Sequence, residues 1–272
     1  MPELPEVEVV LRTLEKNIRG EEISSIDIYY GKIIQEISED EFKNNLIGKQ
    51  FLTFNRVGKY LIFGLSDDTF LVSHLRMEGK YFIKEKSEKI EKHEHIVFNL
   101  KSGKSLRYHD TRKFGVMLIR NSSNLYNTLP LSKLATDANK IEPSELKTNL
   151  KTHQGPIKEV LLDQTVIAGI GNIYADEILF LAKINPLQKA NTLTDKQIED
   201  ICIFSKEILN KAILSGGTTI RSYTSSLGVT GRFQQELYVH TMDNKPCPKC
   251  GETILKMKVA GRSTYYCPAC QK

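Results

Sequence analysis

The spacing of apolar residues changes character twice along the chain. In residues 6–19 apolar positions recur every three or four residues and Gly20 follows, which predicts an amphipathic helix that ends at a glycine. From residue 22 to about residue 120 apolar and polar positions alternate between turn residues, as they do in antiparallel strands. The first 120 residues are therefore predicted to form a β-sandwich or barrel with one helix at its start.

Beyond residues 121–130, a polar stretch that we interpret as a linker, the helical spacing returns. Residues 131–215 are predicted to form four or more helices. Residues 216–235 are rich in Gly, Ser and Thr, and a loop of this length is usually functional. Residues 236–272 carry four of the five cysteines. The pattern predicts an α+β protein in which β structure precedes the helices.

Length and composition are typical of an ordinary globular protein. The 272 residues are 40% hydrophobic and 26% charged, and they suffice for two domains that each bury a core. No apolar run approaches the roughly 20 residues of a membrane-spanning helix, and no signal-peptide pattern precedes the first helix. A cytoplasmic location without a membrane partner is expected.

The net charge of +5 is concentrated near the C-terminus. Residues 205–272 have a clear excess of Lys and Arg, whereas the preceding residues are nearly balanced. A basic segment of this kind is typical of proteins that bind nucleic acids. Solubility alone produces such an asymmetry nearly as often, so the charge leaves both interpretations open.

Four cysteines near the C-terminus have the spacing of a metal site. They form two Cys-x-x-Cys pairs, Cys247 with Cys250 and Cys267 with Cys270. Four thiolates complete a closed tetrahedral shell, which predicts one structural zinc ion. The residues between the pairs alternate like a β-hairpin with its turn near residues 260–261, so that Arg262 could contact a phosphate. The simpler alternative is a zinc ribbon that only stabilises the C-terminus.

The first residues, Met-Pro-Glu, place two reactive groups next to each other. Removal of Met1 would leave Pro2 with a secondary amine, and Glu3 beside it could move a proton. The structural alternative is that Pro2 and Pro5 simply open a helix. Residues 169–172 (GIGN) form a second candidate, a turn between two predicted helices whose free N–H groups could hold a phosphate.

Eight motifs, in order along nearly the whole chain, resemble those of one family. They are MPELPEVE, VGKY, HLRMEGKY, KHEH, DTRKFG, LLDQTVIAGIGNIYADEIL, SGGTTIRSY and the Cys-x-x-Cys hairpin with AGR. Together they resemble formamidopyrimidine-DNA glycosylase, of the bacterial family that also includes endonuclease VIII. The resemblance implies an N-terminal β-sandwich, a helix-two-turn-helix domain and a zinc-finger β-hairpin. It also implies a monomer that acts on damaged double-stranded DNA at the nucleoid, in base excision repair.

The resemblance assigns a role to each predicted segment. Residues 1–120 would be the catalytic domain, 121–130 the linker, 131–215 the DNA-binding helical domain, 216–235 a lesion-capping loop and 236–272 the zinc finger.

For the chemistry, the resemblance implies a bifunctional DNA glycosylase and AP lyase that excises oxidised purines, namely 8-oxoguanine and formamidopyrimidines. The amine of Pro2 would attack C1′ of the damaged nucleoside and form a Schiff base, while Glu3 handles protons. Lys59 and Arg262 correspond to the basic residues associated with β- and δ-elimination. Both could also act chiefly as phosphate clamps.

For DNA recognition, the resemblance implies three groups of contacts. The intercalating residues would be Met77, Arg112 and Phe114. The residues that contact phosphates would be His74, His93 and Asn172. The residues around the flipped purine would be Glu78, Thr218, Ser222 and Tyr223. Arg112 would hydrogen-bond the orphaned partner base while Phe114 wedges the neighbouring step.

Three alternatives stay open. An endonuclease VIII-like enzyme would prefer oxidised pyrimidines, although PELPEVE, Phe114 and the long loop favour the oxidised-purine branch. A non-catalytic zinc-dependent DNA-binding protein would explain the basic C-terminus but not Pro2 and Glu3. An abasic-site lyase without lesion preference is the third. The chain departs from the family pattern in its linker, in the hairpin residues after Arg262 and at Gln154, where a basic residue is common.

Overall fold

The computed structural model describes residues 1–217 and 233–272, and this part of the chain forms two compact units. One unit comprises Met1–Ser132 together with residues 216 and 217. The other comprises Lys133–Ser215 together with residues 233–272. Within these described ranges no helix is long and apolar enough to cross a membrane. The finer division into five functional segments stays a prediction.

Helix α1 (Leu4–Ile18) opens the first unit. Its start is stabilised by a capping box, in which the side chains of Glu3 and Glu6 each accept a hydrogen bond from the other residue's backbone N–H. Gly20 follows the helix with a φ of 81°, a left-handed conformation that glycine adopts without strain. The buried face recurs every three or four residues: Val7, Val10, Leu11, Leu14 and Ile18. The predicted helix is confirmed, and it starts two residues earlier than the pattern indicates.

Eight strands form the rest of this unit. They are β1 (Ile23–Ile28), β2 (Phe51–Val57), β3 (Tyr60–Leu65), β4 (Thr69–His74), β5 (Lys80–Glu85), β6 (Glu94–Leu100), β7 (Lys104–His109) and β8 (Val116–Arg120). They make two antiparallel sheets of four strands, in the orders β1-β6-β7-β5 and β2-β3-β4-β8. Side chains from both sheets and from α1 share one hydrophobic cluster. The predicted sandwich is confirmed.

Several elements of the first unit differ from the predicted pattern. A second helix, α2 (Glu39–Leu46), interrupts the strands, and the apolar pattern does not predict it. Only Phe42 and Leu46 of α2 are buried, which gives a weak helical period, but Ser38 and Glu41 form a capping box that defines its start. Strands β3, β4, β6 and β8 show no alternation of buried and exposed residues, because nearly all of each strand is buried.

In the described residues of the second unit there are four α-helices. They are α3 (Pro143–Leu150), α4 (Ile157–Val160), α5 (Asn172–Leu181) and α6 (Asp195–Leu214). Helix α6 starts at a capping box of Thr194 and Gln197 and packs against α3 and α5. Helix α5 is buried on almost every side, and apart from Asn172, Asp176 and Glu177 its sequence is apolar. The predicted helical region is confirmed.

A hairpin of β9 (Leu255–Val259) and β10 (Arg262–Tyr266) ends the chain. Its two turn residues, Ala260 and Gly261, have φ values of 46° and 75°, as a type I′ turn requires. The turn lies where the sequence predicts it. Arg262 therefore stands at the exposed tip of the hairpin, and α5 packs against β10.

Candidate functional site

The predicted nucleophile and its neighbour lie at the start of α1. Pro2 is buried and Met1 is exposed. Glu3 is only 2% exposed, and its carboxylate accepts the backbone N–H of Glu6. The N-terminus of a helix stabilises negative charge, so this position suits a buried carboxylate. Glu3 thus has a structural role in capping α1, and the same contact fixes it beside Pro2.

The turn that carries Lys59 is connected to α1 through Arg56. Lys59 is buried between β2 and β3. Arg56 donates from Nε to Glu8 Oε2 at 3.0 Å and from Nη1 to the carbonyl oxygen of Gly58 at 2.8 Å. Burial opposes ionisation of Glu8, but hydrogen bonds from Arg12 and Arg56 lower the pKa of its carboxyl overall. Arg56 was not predicted, because Arg56 and Glu8 are too far apart in the chain for any local pattern to link them.

His74, at the end of β4, lies close to this turn. Its ring packs edge-on against Tyr60 with the ring centroids 4.5 Å apart. Nδ1 accepts the backbone N–H of Arg76 at 2.9 Å, which places the proton of the neutral ring on Nε2. Burial, with smaller contributions from the charges of Arg76 and Lys59, lowers the pKa of His74 to about 3. His74 is therefore a neutral hydrogen-bond donor at physiological pH.

The buried His74 predicts a pH dependence of stability. Because the pKa is about 3 in the folded chain and about 6.5 in the unfolded chain, the unfolded state binds the additional proton between these values. The contribution of neutral His74 to the free energy of unfolding is complete above pH 6.5. Between pH 6.5 and pH 3 this free energy decreases by about 1.4 kcal/mol for each pH unit that the pH falls. In His74→Asn, whose Oδ1 can still accept the Arg76 N–H, the free energy of unfolding should fall by about 2 kcal/mol less between pH 7 and pH 5 than in wild type. Urea unfolding at the two pH values measures this difference, and equal losses in the two proteins would contradict it.

The predicted intercalating residues lie on two exposed loops of the first unit. Met77 is on the loop between β4 and β5, with the half-buried Glu78 beside it. Arg112 and Phe114 are on the loop between β7 and β8, and Phe114 is 52% exposed. The Arg112 guanidinium stacks on the Phe114 ring, 4.8 Å from its centroid. The structure brings Arg112 and Phe114 together and leaves both on the surface.

His93 directly precedes β6 and has a left-handed φ of 74°. Its ring neighbours that of His109, with the centroids 5.7 Å apart. The chain before it is held by Arg107, a fully buried residue that donates hydrogen bonds to Glu94 and to three backbone carbonyls of residues 85–89. Arg107 was not predicted, because β7 also contains other polar residues and nothing in its sequence distinguishes a buried arginine from an exposed one.

In the second unit, the start of α5 is bonded to the hairpin. Asn172 is the first residue of α5, and its Nδ2 donates to the carbonyl oxygen of Ser263 in β10 at 2.9 Å. This bond joins the candidate phosphate site of the GIGN turn to the strand that begins with Arg262. Arg262 itself lines a cleft of about 460 Å³ whose other lining residues include His153, Glu159 and Asp163.

A buried charged network supports the same helix start. Lys158 donates to Asp176 Oδ1 at 2.6 Å and to the carbonyl oxygen of Asn172 at 2.9 Å, and His240 Nδ1 lies 2.6 Å from Asp176 Oδ2. Burial raises the pKa of Glu177, which accepts the backbone N–H groups of residues 238–240. These residues were not predicted, although two adjacent acidic residues in a largely apolar helix indicate buried partners.

The four predicted metal ligands converge in the second unit. All four sulfur atoms lie within 4.8 Å of one another, and three of the pairs are 3.4, 3.5 and 3.9 Å apart. A tetrahedral zinc ion with Zn–S bonds of about 2.3 Å separates its sulfur ligands by about 3.8 Å. The backbone N–H of Glu252 donates to Cys250 and contributes most to lowering the pKa of its thiol. The cluster Cys247, Cys250, Cys267 and Cys270 therefore fits one structural zinc ion.

Three predicted purine-enclosing residues, Thr218, Ser222 and Tyr223, lie outside the described residues. Gly217, directly before them, has a φ of 79°, and a Cβ at this position would lie 3.1 Å from Glu6 Oε1. A larger residue would be strained here and would crowd Glu6. The predicted capping loop therefore begins beside the first turn of α1.

Three family models match successive parts of the chain. Residues 1–117 match the formamidopyrimidine-DNA glycosylase N-terminal domain, and residues 134–224 match the H2TH domain of the same enzyme. Residues 244–272 match a zinc finger found in FPG and IleRS. This last match agrees with the cysteine geometry, and together they identify a site for one structural zinc ion.

Relatives are similar over their full lengths. A formamidopyrimidine-DNA glycosylase from Mycoplasma mobile is 45% identical over 272 residues, covering 100% of this chain and 99% of the relative. One from Ligilactobacillus salivarius is 42% identical, with the same coverage. Among solved structures, a Lactococcus lactis FPG mutant in complex with a Fapy-dG containing DNA has a TM-score of 0.94 at 40% identity and full coverage of both chains. The Lactococcus lactis Fpg in complex with an abasic site containing DNA has a TM-score of 0.92 at 40% identity, with 99% of each chain covered.

Proposed function

Because the chain belongs to the formamidopyrimidine-DNA glycosylase family and is accordingly a DNA glycosylase, we propose that it excises oxidised purines from duplex DNA and then cleaves the strand at the emptied sugar. The substrates would be 8-oxoguanine and formamidopyrimidines, and the process base excision repair. The observation that carries the proposal is the buried Pro2–Glu3 start of α1, connected through Arg56 to the turn of Lys59. The structures of relatives bound to Fapy-dG or abasic-site DNA support the substrate class.

The proposed nucleophile is the secondary amine that Pro2 acquires when Met1 is removed. An α-amino group has a pKa of about 8, so an appreciable fraction is unprotonated at neutral pH. Its nitrogen attacks C1′, the glycosidic bond breaks, and the base departs with the bonding electrons and gains a proton. The sugar ring then opens, with loss of the amine proton and gain of one at the ring oxygen. Glu3, next to Pro2, handles these protons.

The product of this step is an iminium cation, which acts as an electron sink. It acidifies C2′, so that β-elimination expels the 3′ phosphate, and a following δ-elimination expels the 5′ phosphate. We assign Lys59 and Arg262 to these steps because both are cations that can stabilise departing phosphates. His74, as a neutral donor, and His93 and Asn172 would contact neighbouring phosphates.

A base inside a duplex must leave the stack to reach Pro2. Met77 and the exposed Arg112–Phe114 stack would fill the gap, with Arg112 bonded to the orphaned base and Phe114 between neighbouring pairs. Glu78, Thr218, Ser222 and Tyr223 would enclose the extruded purine. Zinc, when bound, stabilises the folded hairpin that carries Arg262. The protein would act as a monomer on DNA at the nucleoid, with residues 1–120 as the catalytic domain.

A panel of duplexes with one sequence and one variable base tests this proposal. We expect kcat/KM for 8-oxoguanine or formamidopyrimidine opposite cytosine to exceed that for an oxidised pyrimidine by at least about tenfold. Both ends of the cleaved strand should carry phosphate. Preference for the oxidised pyrimidine would move the chain to the endonuclease VIII-like branch. If the protein cleaves only preformed abasic sites, it is an abasic-site lyase without lesion preference. If it binds DNA without cleaving it, it is a DNA-binding protein.

A further inference from the structure

A tyrosine in the core of the first unit contacts both loops that carry the proposed intercalating residues. Tyr108, on β7, is fully buried, and its ring packs against that of Tyr81 with the centroids 5.2 Å apart. Two glycines lie against its hydroxyl: Gly79, in the loop of Met77, and Gly115, in the loop of Arg112. A Cβ at either position would overlap the Tyr108 hydroxyl oxygen. These glycines therefore permit a close approach that no other residue allows.

The same hydroxyl donates to Asp110, which organises the second loop. Asp110 is fully buried, and its Oδ2 lies 3.4 Å from the Tyr108 hydroxyl. The carboxylate also accepts three backbone N–H groups, from Arg112 to Oδ1 and from Phe114 and Gly115 to Oδ2, each at 2.9 Å. These bonds enclose Lys113, which has a left-handed φ of 58°. The backbone on both sides of the Arg112–Phe114 stack is thus held by one carboxylate.

We infer that Tyr108 and Asp110 are positioning residues that hold the two intercalating loops in a fixed arrangement before DNA binds, and that discrimination of the base opposite the lesion depends on them. The inference rests on the proposed role of Arg112. A hydrogen bond from Arg112 can select among opposite bases only if the guanidinium has one position, since a mobile side chain adapts to several partners. Ordering the loop in the free protein also removes an entropic cost from DNA binding.

Two variants weaken this arrangement without removing a residue proposed to touch DNA. Asp110→Asn keeps the shape of the side chain but replaces one acceptor oxygen with a donor amide, which faces backbone N–H groups. Tyr108→Phe removes only the hydroxyl. The matched control is Tyr81→Phe, which removes another buried hydroxyl from the same core, one that donates to Ser73 at 2.8 Å. Arg112→Ala is the reference variant, because it removes the side chain proposed to hydrogen-bond the base opposite the lesion.

The readout is the ratio of kcat/KM for 8-oxoguanine opposite cytosine to that opposite adenine. Asp110→Asn should lower the ratio by about tenfold and Tyr108→Phe by about threefold, because a hydrogen bond to a charged acceptor is worth more than one weak hydroxyl contact. Tyr81→Phe should leave it unchanged. Borohydride trapping on a single-stranded abasic oligonucleotide, which has no opposite base, should proceed at the wild-type rate in all three. The backbone amide hydrogens of Phe114 and Gly115 should exchange with solvent faster in Asp110→Asn and in Tyr108→Phe than in Tyr81→Phe.

The outcomes separate this inference from the proposed function. If Arg112→Ala lowers the ratio while Asp110→Asn and Tyr108→Phe do not, the positioning role is wrong and the role of Arg112 stands. If Arg112→Ala also leaves the ratio unchanged, Arg112 does not read the opposite base and both fail. An equal loss in Tyr81→Phe and Tyr108→Phe would show a general effect of the core and overturn the inference. If Asp110→Asn does not fold, Tyr108→Phe decides alone.

Discussion

A chain in which glycine replaces Pro2 is expected to form at least about 100-fold less borohydride-trapped adduct than wild type on an 8-oxoguanine:cytosine duplex. Glycine still permits removal of Met1 and still presents an amine. That amine is primary, so its condensation product can lose a proton to become a neutral imine, whereas proline gives a permanent cation. Glycine also lacks the pyrrolidine ring, which restricts rotation about the N–Cα bond and so fixes the direction of the nitrogen lone pair. Gel-resolved covalent complex, with Met1 removal checked by mass, measures the effect.

The matched control is Pro5→Ala, in the first turn of α1. If the two prolines only open the helix, both variants should lose activity through the same loss of stability. If Pro2 is the nucleophile, Pro5→Ala should retain trapping within about threefold of wild type. Undiminished trapping in Pro2→Gly would mean that another residue forms the adduct.

Serine in place of Cys250 is expected to abolish zinc binding and to weaken DNA binding at fixed salt by at least about 100-fold. Structural zinc contributes about 10–16 kcal/mol to the folding of small domains, and three thiolates with a hydroxyl hold it much less tightly. Without the ion, the hairpin that presents Arg262 and accepts the Asn172 amide loses its support. Metal stoichiometry by atomic emission and affinity for an abasic-site duplex measure the two effects.

Cys202→Ser is the control for this substitution. Cys202 is buried on α6, and burial, with smaller effects from Glu142 and Glu145, raises the pKa of its thiol to about 11, so it is an unreactive cysteine outside the metal cluster. Zinc stoichiometry and DNA affinity should remain at wild-type values in Cys202→Ser. Full zinc occupancy in Cys250→Ser would refute the four-thiolate site.

The fold was predictable wherever local periodicity reflects burial. Helix α1 has one apolar face and ends at Gly20, so its pattern is unambiguous. Several strands of the sandwich, among them β3, β4 and β6, are buried almost throughout, so short apolar runs between turn residues predict them better than strict alternation does. Helix α2 was not predictable in this way, because only Phe42 and Leu46 are buried and its capping box is the stronger signal. Strand β8 is buried on both faces, so it has no period to detect.

In the candidate site too, only residues that a local sequence pattern marks could be predicted. The four cysteines are predicted by spacing alone, and their sulfur atoms converge as expected. Arg56 donates to the side chain of Glu8, which is distant in the sequence, and Asp110 accepts backbone N–H groups of the loop that follows it. Both contacts depend on the folded position of their partners. No spacing rule reveals that Gly79 and Gly115 lie against one hydroxyl. Such residues act through tertiary contacts, which no local pattern in the sequence reveals.

The most direct test of the central claim is to trap the wild-type protein on an 8-oxoguanine:cytosine duplex with borohydride and to locate the adduct by peptide mass analysis. The proposed mechanism predicts a single modified peptide that lacks Met1 and carries the sugar remnant on the nitrogen of Pro2. An adduct on a lysine, or efficient cleavage by a chain that retains Met1, would contradict it.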